Sequence, residues 1–302
     1  MEIRRLTVGV VVHAPAKLNL FFEVLGKRRD GYHEIETLMV PVDLYDTLYF
    51  KEEPSGQVSL DCQRVSGRWA SNGPEPMEVP KGAANLVVQA VKLLRRRAGL
   101  RRGAVLRLVK RIPIAAGLGG GSADAAAALV AANTGWGLNW PQTRLARLAA
   151  ELGSDVPFFL RRGPAICRGR GEQVQPVSGL TLLHFVVVRP PEGLSTPDVY
   201  GACRPAQQPR RVQPVVDALA RGNLAETGRL LFNRLQPAAK RLSPWIERLE
   251  NLLARQDCLG NLMTGSGTCY FGLCRHARQA RRAAKRLEAN GVGMAFAVRS
   301  IR

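Results

Sequence analysis

The sequence predicts an α+β protein of two domains, on three observations. Its 302 residues allow one large domain or two ordinary ones. Apolar residues make up 46% and charged residues 23%, a globular balance that excludes disordered, collagen-like and coiled-coil classes. Strand-like and helix-like periods are mixed in both halves, with the second half opening near residue 175. The domains are therefore read as 1–174 and 175–302.

The elements follow in order. Residues 3–12 and 20–25 are apolar runs of strand length, and Leu44 to Phe50 alternates. Residues 53–81 are rich in Gly, Pro, Ser and charge without periodicity, and read as a long loop or irregular hairpin. Asn85 opens a helix with Leu86, Val87, Ala90, Val91 and Leu94 at helical spacing. Arg95 to Arg97 put cations in its last turn, and Gly99 follows. Ala104 to Val109 alternates as a strand. Pro113 to Gly121 is a loop, followed by a helix from Ser122 to about Asn133. The next helix has Pro141 in its first turn, buries Leu145, Leu148 and Leu152, and stops at Gly153. In the second half Leu182 to Val188 reads as a buried strand. Helices are expected at 211–220, 224–235 and 243–256, the last started by Ser243-Pro244. Leu259 to Leu273 reads as strand, Gly-rich turn, strand. Residues 276–290 form a very basic helix ended by Gly291, and Met294 to Ile301 is a terminal strand.

Lys and Arg total 44 against 24 Asp and Glu, a formal charge of +20. Such a surplus attracts phosphorylated substrates, nucleic acid or membrane headgroups. No stretch approaches the roughly 20 apolar residues of a membrane span. The short run Leu6 to Val12 contains Gly9 and leads to no cleavage site, so it reads as a strand and not a signal peptide. Cys62, Cys167, Cys203, Cys258, Cys269 and Cys274 are scattered, with no C-x-x-C and no metal-ligand spacing. They read as reduced thiols of a cytoplasmic protein.

The most informative stretch is Pro113-Ile114-Ala115-Ala116-Gly117-Leu118-Gly119-Gly120-Gly121-Ser122-Ala123, opening into an alanine-rich helix. Glycines let backbone approach a ligand closely. A helix start adds unpaired N–H groups and about half a positive charge. Together they form an anion cradle suited to a triphosphate. Ser122 can cap the helix, bind a phosphate oxygen or help hold Mg²⁺. This is not a Walker loop, because Gly121 stands where the Lys belongs. Nor is it a dinucleotide fingerprint, because no acidic residue ends a second strand about 20 residues on. No Lys or Arg lies between Pro113 and Gly137, so the +20 is not the phosphate site.

Ala14-Pro15-Ala16-Lys17-Leu18-Asn19-Leu20 puts a Lys and an Asn in an apolar segment, where they need partners. Asp30-Gly31 is a tight-turn signal presenting Tyr32 and His33, an aromatic and a hydrogen-bonding neighbour that suit a nucleobase. Asp155, in Gly153-Ser154-Asp155-Val156-Pro157-Phe158-Phe159, lies just past a helix end and enters an apolar segment. Lys17 is a fitting partner for it. A Lys–Asp pair beside a triphosphate cradle suits phosphoryl transfer, a base for an alcohol and a cation for the moving charge.

Together these stretches resemble the GHMP small-molecule kinases. Pro113 to Ala126 is similar to that family's second motif. Leu262-Met263-Thr264-Gly265-Ser266-Gly267-Thr268 through Gly272 is similar to its third, a glycine turn near the ATP site. The Lys17, Tyr32 and Asp155 stretches resemble one branch, which phosphorylates a cytidine-diphosphate-linked methylerythritol in non-mevalonate isoprenoid synthesis. Lesser matches are Asn85-Leu86 and Gly193 to Tyr200, and the resemblance runs in order from about residue 8 to about 272. It implies ATP-dependent phosphorylation of the substrate's 2-hydroxyl, with ATP and Mg²⁺ as cofactors. It implies Lys17 and Asp155 as the catalytic pair, Asp155 taking the hydroxyl proton and Lys17 orienting it and stabilising the γ-phosphoryl charge. Pro113 to Ala123 would bind ATP phosphates through backbone N–H groups, with Gly265, Ser266 and Gly267 close by. Asn19, Tyr32 and His33 would hold the cytidine moiety, with Tyr200 as the second stacking face. The implied fold joins an N-terminal α/β domain with a left-handed crossover to a C-terminal ferredoxin-like domain, substrate lying in the cleft between.

Two stretches depart from the family pattern. Ser122-Ala123-Asp124 stands where Ser-Ser followed by Asp or Asn is commoner. Asn233-Arg234-Leu235-Gln236 replaces a more usual Asn-Asp-Leu-Glu. A GHMP kinase for mevalonate, homoserine or a sugar would share the cradle, but not Asp30 to His33 together with Ala16 to Asn19. A basic nucleic-acid-binding protein would carry an aromatic RNA-binding signature that is missing here. Neither a specific nucleic acid nor a membrane is expected as partner.

Overall fold

The computed structural model describes residues 1–65, 80 and 82–301. β1 (Glu2–Arg5) and β2 (Val10–Lys27) pair antiparallel, Glu2 opposite His13. Gly9, at φ +100°, turns the chain between them and splits the single strand expected over 3–12. β2 then continues through 13–19, which reads in sequence as a link between strands. β3 (His33–Glu53) is also far longer than the expected 44–50 and pairs with β2 along its length. Their ribbon is interrupted at Pro15/Ala16, Asn19/Phe21 and Val24/Gly26, irregularities that bend and twist it around the core.

β4 (Val58–Arg64) occupies part of the expected loop. It lies parallel to β5 (Gly103–Lys110), to which α1 (Leu86–Arg97) connects it. Residues 66–79 and 81 of that loop lie outside the described residues. Asn85 caps α1 as expected, its side chain accepting the Val87 N–H at 2.9 Å. Then come α2 (Gly120–Gly135), α3 (Gln142–Leu152), α4 (Val156–Leu160) and the hairpin β6 (Ala165–Gly169) and β7 (Gln173–Pro176), which extends β3. β7 carries this sheet across the 174/175 division.

Beyond it lie β8 (His184–Arg189), α5 (Thr196–Gly201), α6 (Gln213–Ala220), α7 (Leu224–Leu230), β9 (Phe232–Asn233), α8 (Gln236–Leu242) and α9 (Pro244–Ala254). β10 (Gly260–Met263), β11 (Tyr270–Cys274), α10 (Ala277–Ala289) and β12 (Met294–Arg299) complete the chain. An antiparallel sheet runs in the order β10-β11-β8-β12. The helix expected over 224–235 ends at Leu230. Phe232 and Asn233 instead pair in parallel with Phe21 and Phe22 of β2, so the second half lends a strand to the first sheet. α4, α5, α8, β6 and β7 are each too short to announce themselves by periodicity.

Side-chain alternation explains the layers. Val10, Val12 and Ala14 of β2 pack under α1, α2 and α3. Past the irregularity at Pro15/Ala16, Ala16, Leu18 and Leu20 join Phe185, Val187, Phe271 and Phe296 in a core between the two sheets. Val186 and Val188 point the other way, into a third core with Ile246, Leu249, Leu253, Ala283 and Leu287 of α9 and α10. β8 is therefore buried on both faces, which is why it is apolar without alternation. The alanines of α2 between Ala123 and Ala132 are buried, and their small side chains let the helix sit close to sheet and neighbouring helices at once.

One glycine tests how tightly the layers meet. A Cβ on Gly228 of α7 would lie 2.1 Å from the carbonyl oxygen of Leu259. In an open helix Ala would gain about 1 kcal/mol over Gly. Here the clash should win, and Gly228→Ala should lower unfolding free energy by about 1–3 kcal/mol in chemical denaturation. An unchanged or raised stability would mean that α7 is free to move off β10.

Candidate active site

β2 delivers Lys17 and Asn19 to the cleft. Both lie between the ribbon's interruptions at Pro15/Ala16 and Asn19/Phe21, on the opposite side of the strand from Ala16, Leu18 and Leu20. Lys17 is only 3% exposed. Its ammonium donates to Asn19 Oδ1 at 2.5 Å and stands 3.6 Å from Asp155 Oδ2. Burial pulls it below its ordinary pKa, and Asp155 pulls it back up. Asp155 begins α4, yet its carboxylate caps nothing and faces Lys17 with about a quarter of the side chain exposed.

Asn19 serves this pair. Its Nδ2 donates to Thr37 Oγ1 at 2.8 Å, and Thr37 in turn donates to the Phe21 carbonyl. Thr264 Oγ1 accepts the Asn19 N–H at 3.0 Å and lies 3.2 Å from its Oδ1. Asn19 is fully buried and borders neither of the two cavities described below. Its amide is consumed in positioning Lys17.

The glycine stretch takes a different local form from the one expected. α2 starts at Gly120, with Gly119 as cap residue at φ +73°, so Ser122 does not cap it. Ala115 at φ +52° and Gly117 at φ +74° are also left-handed. The odd positions thus curl the backbone while Ala116 and Leu118 are buried between them. The Leu118 carbonyl accepts the Lys17 N–H at 3.0 Å, and the Ala116 carbonyl accepts the Cys269 N–H at 3.2 Å. A side chain at 117 would strike the Thr264 carbonyl at 2.4 Å, and one at 119 would strike Phe159 at 2.8 Å. The Ala123 N–H is spent on the Gly119 carbonyl at 2.9 Å, so Ala123 offers no donor to a phosphate. The first-turn N–H groups of Gly120, Gly121 and Ser122 have no acceptor within the helix.

Two cavities meet over this frame. One, of about 370 Å³, is bordered by Asn85, Leu86 and the stretch Pro113 to Ser122. The other, of about 620 Å³, holds Lys17, Asp155, Tyr32, His33, Tyr200 and the turn Gly265, Ser266 and Gly267. Ala115, Gly117 and Gly119 border both. Tyr32 is half-exposed, with the Arg170 guanidinium 4.9 Å from its ring centre. His33 and Tyr200 lie against each other, ring centroids 5.0 Å apart. Burial and the charge of Lys27 hold His33 below its ordinary pKa, so it stays neutral near pH 7. Thr196 Oγ1 lies 2.7 Å from Ser266 Oγ, fastening α5 to the glycine turn.

Several residues escape sequence reading. Lys27 and Arg170 add cations to the larger cavity. Asn233 donates to the Met263 and Gly265 carbonyls, each at 2.8 Å, and so holds the glycine turn. Arg234 pairs with the buried Glu23 at 2.7 Å. The Lys27 and Arg170 signals were cations beside Gly26, Gly169 and Gly171; nothing marked Arg234 as paired with a residue so far upstream.

Residues 85–163 match the GHMP kinases N terminal domain, and residues 215–293 the GHMP kinases C terminal family. A 4-diphosphocytidyl-2-C-methyl-D-erythritol kinase of Pelotomaculum thermopropionicum is 43% identical over 90% of this chain and 92% of its own. The enzyme of that name from Shouchella clausii is 38% identical, over 87% and 84%. The chain belongs to the 4-diphosphocytidyl-2-C-methyl-D-erythritol kinase family. A solved 4-(cytidine 5'-diphospho)-2C-methyl-D-erythritol kinase matches with TM-score 0.78 at 37% identity, over 97% of this chain and 99% of that one. A homoserine kinase from Cytophaga hutchinsonii, at 20% identity and TM-score 0.73 over 99% and 96% of the two chains, shares the fold. This kinase family thus uses the two-domain GHMP architecture that the motifs implied.

The frame around Lys17 generates a test. Asn19→Leu keeps the branching of the side chain but strips Lys17 of its 2.5 Å acceptor. It should lower kcat by up to about 10²-fold, the effect of a misplaced catalytic group. KM for the alcohol should stay within a few-fold in steady-state assays. A large KM rise with unchanged kcat would return Asn19 to the substrate surface.

Proposed function

We propose that the chain transfers the γ-phosphoryl of ATP to the 2-hydroxyl of 4-(cytidine 5'-diphospho)-2-C-methyl-D-erythritol, giving the 2-phosphate and ADP. The observation that carries this is the Lys17–Asp155 pair at the junction of the two cavities, 3.6 Å between charged atoms. ATP would lie in the smaller cavity with its phosphates on the N–H groups of Gly120, Gly121 and Ser122. The cytidine end would occupy the larger cavity between Tyr32 and the His33–Tyr200 stack, with Lys27 and Arg170 near its diphosphate.

Asp155 is free of capping duty and partly exposed, so an incoming hydroxyl can reach it. It takes the proton as the oxygen attacks phosphorus, while the bond from phosphorus to the β,γ-bridging oxygen breaks and ADP leaves. Lys17 stands beside Asp155 and faces the charge gathering on the transferred group.

Mg²⁺ fits as a companion of the nucleotide. Among the described residues no group of three acidic, His or Cys side chains could hold it. The half-buried Ser122 hydroxyl borders the smaller cavity and would share the ion with phosphate oxygens and water. When bound, Mg²⁺ supplies neutralisation of the β- and γ-phosphate charge. A cytoplasmic setting belongs to the same proposal, supported by cysteines that are all free. No described helix is long and apolar enough to cross a membrane.

A coupled assay of ADP release, with and without the cytidylated alcohol and with mevalonate or homoserine in its place, tests the reading. ADP should appear only with the cytidylated alcohol, and its failure to appear there would overturn the proposal. Asp155→Asn should lower kcat by about 10²–10⁴ with ATP binding near normal. Turnover near that of the parent enzyme would remove Asp155 from the mechanism. Tyr32→Ala should weaken binding of the cytidylated alcohol by about 1–3 kcal/mol, read as KM, without changing ATP affinity. Loss of ATP affinity instead would reverse the assignment of the two cavities.

A further inference from the structure

Beneath the phosphate cradle lies a charged cluster that the transfer step does not use. Lys110, the last residue of β5, is buried at 7% exposure. Its ammonium donates to Asp46 Oδ2 on β3 and, at 2.6 Å, to Asp124 Oδ2 on α2. Asp46 is fully buried, and its other oxygen accepts the N–H groups of Arg111 at 2.5 Å and Ile112 at 2.8 Å. Those two residues run straight into Pro113, where the cradle begins. Asp124 is the residue immediately after Ala123, where it ends.

One ammonium therefore ties both ends of the cradle. We propose that Lys110, Asp46 and Asp124 are positioning residues that clamp the two ends of the Pro113–Ala123 stretch and so preset its N–H groups for the phosphates of ATP. The proposal rests on the reading that ATP occupies this cradle.

The need for a clamp follows from composition. A stretch with left-handed backbone at Ala115, Gly117 and Gly119 and further glycines at 120 and 121 is costly to order. Binding sites gain affinity when that ordering precedes the ligand. The cluster also touches the cradle itself, since a Cβ on Gly120 would stand 3.0 Å from Ile112 Cγ2 and 3.3 Å from the Lys110 ammonium. Two of the three N–H donors of Lys110 are given to carboxylates, and the residue borders the smaller cavity from beneath the cradle. Burial alone would lower its pKa; Asp124 and Asp46 outweigh that and hold it above the ordinary value, so it stays charged. A buried ion cluster is a weak source of stability, and apolar replacements of similar volume are often neutral. Among the described residues Asp124 Oδ1 is buried without a hydrogen-bond partner, a cost that mere fastening would not require.

The test pairs Lys110→Met with Asp124→Leu. Asp46 keeps its two backbone donors in that variant, so the fold should survive. Titration calorimetry with a non-hydrolysable ATP analogue should show affinity at least tenfold weaker than that of the parent enzyme. KM for ATP should rise in step, with KM for the cytidylated alcohol within about twofold. Amide hydrogen exchange over 113–122 should quicken. Asp124→Asn keeps an acceptor for Lys110 and should bring analogue affinity back to within about threefold. If the double variant does not fold, Asp124→Leu alone leaves Lys110 paired with Asp46 and is read in the same way.

Unchanged analogue affinity and exchange in a folded variant would overturn the clamp. So would an equal rise in both KM values, which would make the cluster a support of the whole cleft. Asp124→Asn as damaging as Asp124→Leu would overturn it too, since charge and not the bridge would then matter. A parent enzyme that fails to bind the analogue would instead sink the reading of the cradle as the ATP site.

Discussion

The structure turns on keeping a lysine ammonium out of water at the junction of two domains. An unpaired buried charge costs several kcal/mol, so Lys17 must be surrounded by acceptors held in place. Asn19 and Asp155 supply them from β2 and the start of α4. Asn19 is held by Thr37 of β3 and by Thr264, which follows β10 of the second domain. The Lys17–Asp155 pair thus depends on how the two domains dock. Loosening either sheet would leave the ammonium poorly paired.

The same docking shapes the phosphate cradle. The Ala116 carbonyl accepts from Cys269 just before β11, and the Gly117 backbone packs against Thr264 too closely for any side chain. Two glycine turns, one from each domain, therefore meet backbone to backbone. Asn233 secures the second turn from β9, itself a strand lent to the first sheet. Carbonyls point into these contacts, leaving the free N–H groups at the start of α2 for the anion. Donors fixed in this way need no reorganisation when phosphate charge shifts during transfer.

Much of this was legible in the sequence, and the exceptions have physical reasons. The glycine stretch, the Lys17 and Asp155 segments and the Tyr32–His33 turn depend on local residue types, and the structure gathers them around one cleft. Helices with a full apolar face, such as α1, α3, α9 and α10, were found within a few residues. β2 and β3 were under-read because both faces are buried over much of their length and polar residues such as Lys17, Asn19, Glu23 and Thr37 are buried with them, which leaves no clean apolar/polar alternation. The start of α2 was misplaced because glycine carries no preference that separates cap from first turn. Asn19 marks a limit of such reading, because a polar residue in an apolar strand signals only that it has partners. Whether those partners are ligand or protein is decided by Thr264, far away in sequence.

The +20 charge separates from the chemistry once the ions are paired off. Lys17 faces Asp155, and Lys110 faces Asp46 and Asp124, so buried cations near the transfer site are matched by carboxylates. Lys27 and Arg170, the latter 3.9 Å from Glu172, border the larger cavity rather than the cradle. An arginine in the cradle would hold a triphosphate strongly before and after transfer alike, which slows release without favouring the transition state. Backbone N–H groups give directional contacts without adding a full charge. On the proposed function backbone dipoles would hold the phosphates, and the surplus charge is left to the surface, where its reach is limited to about a Debye length in salt.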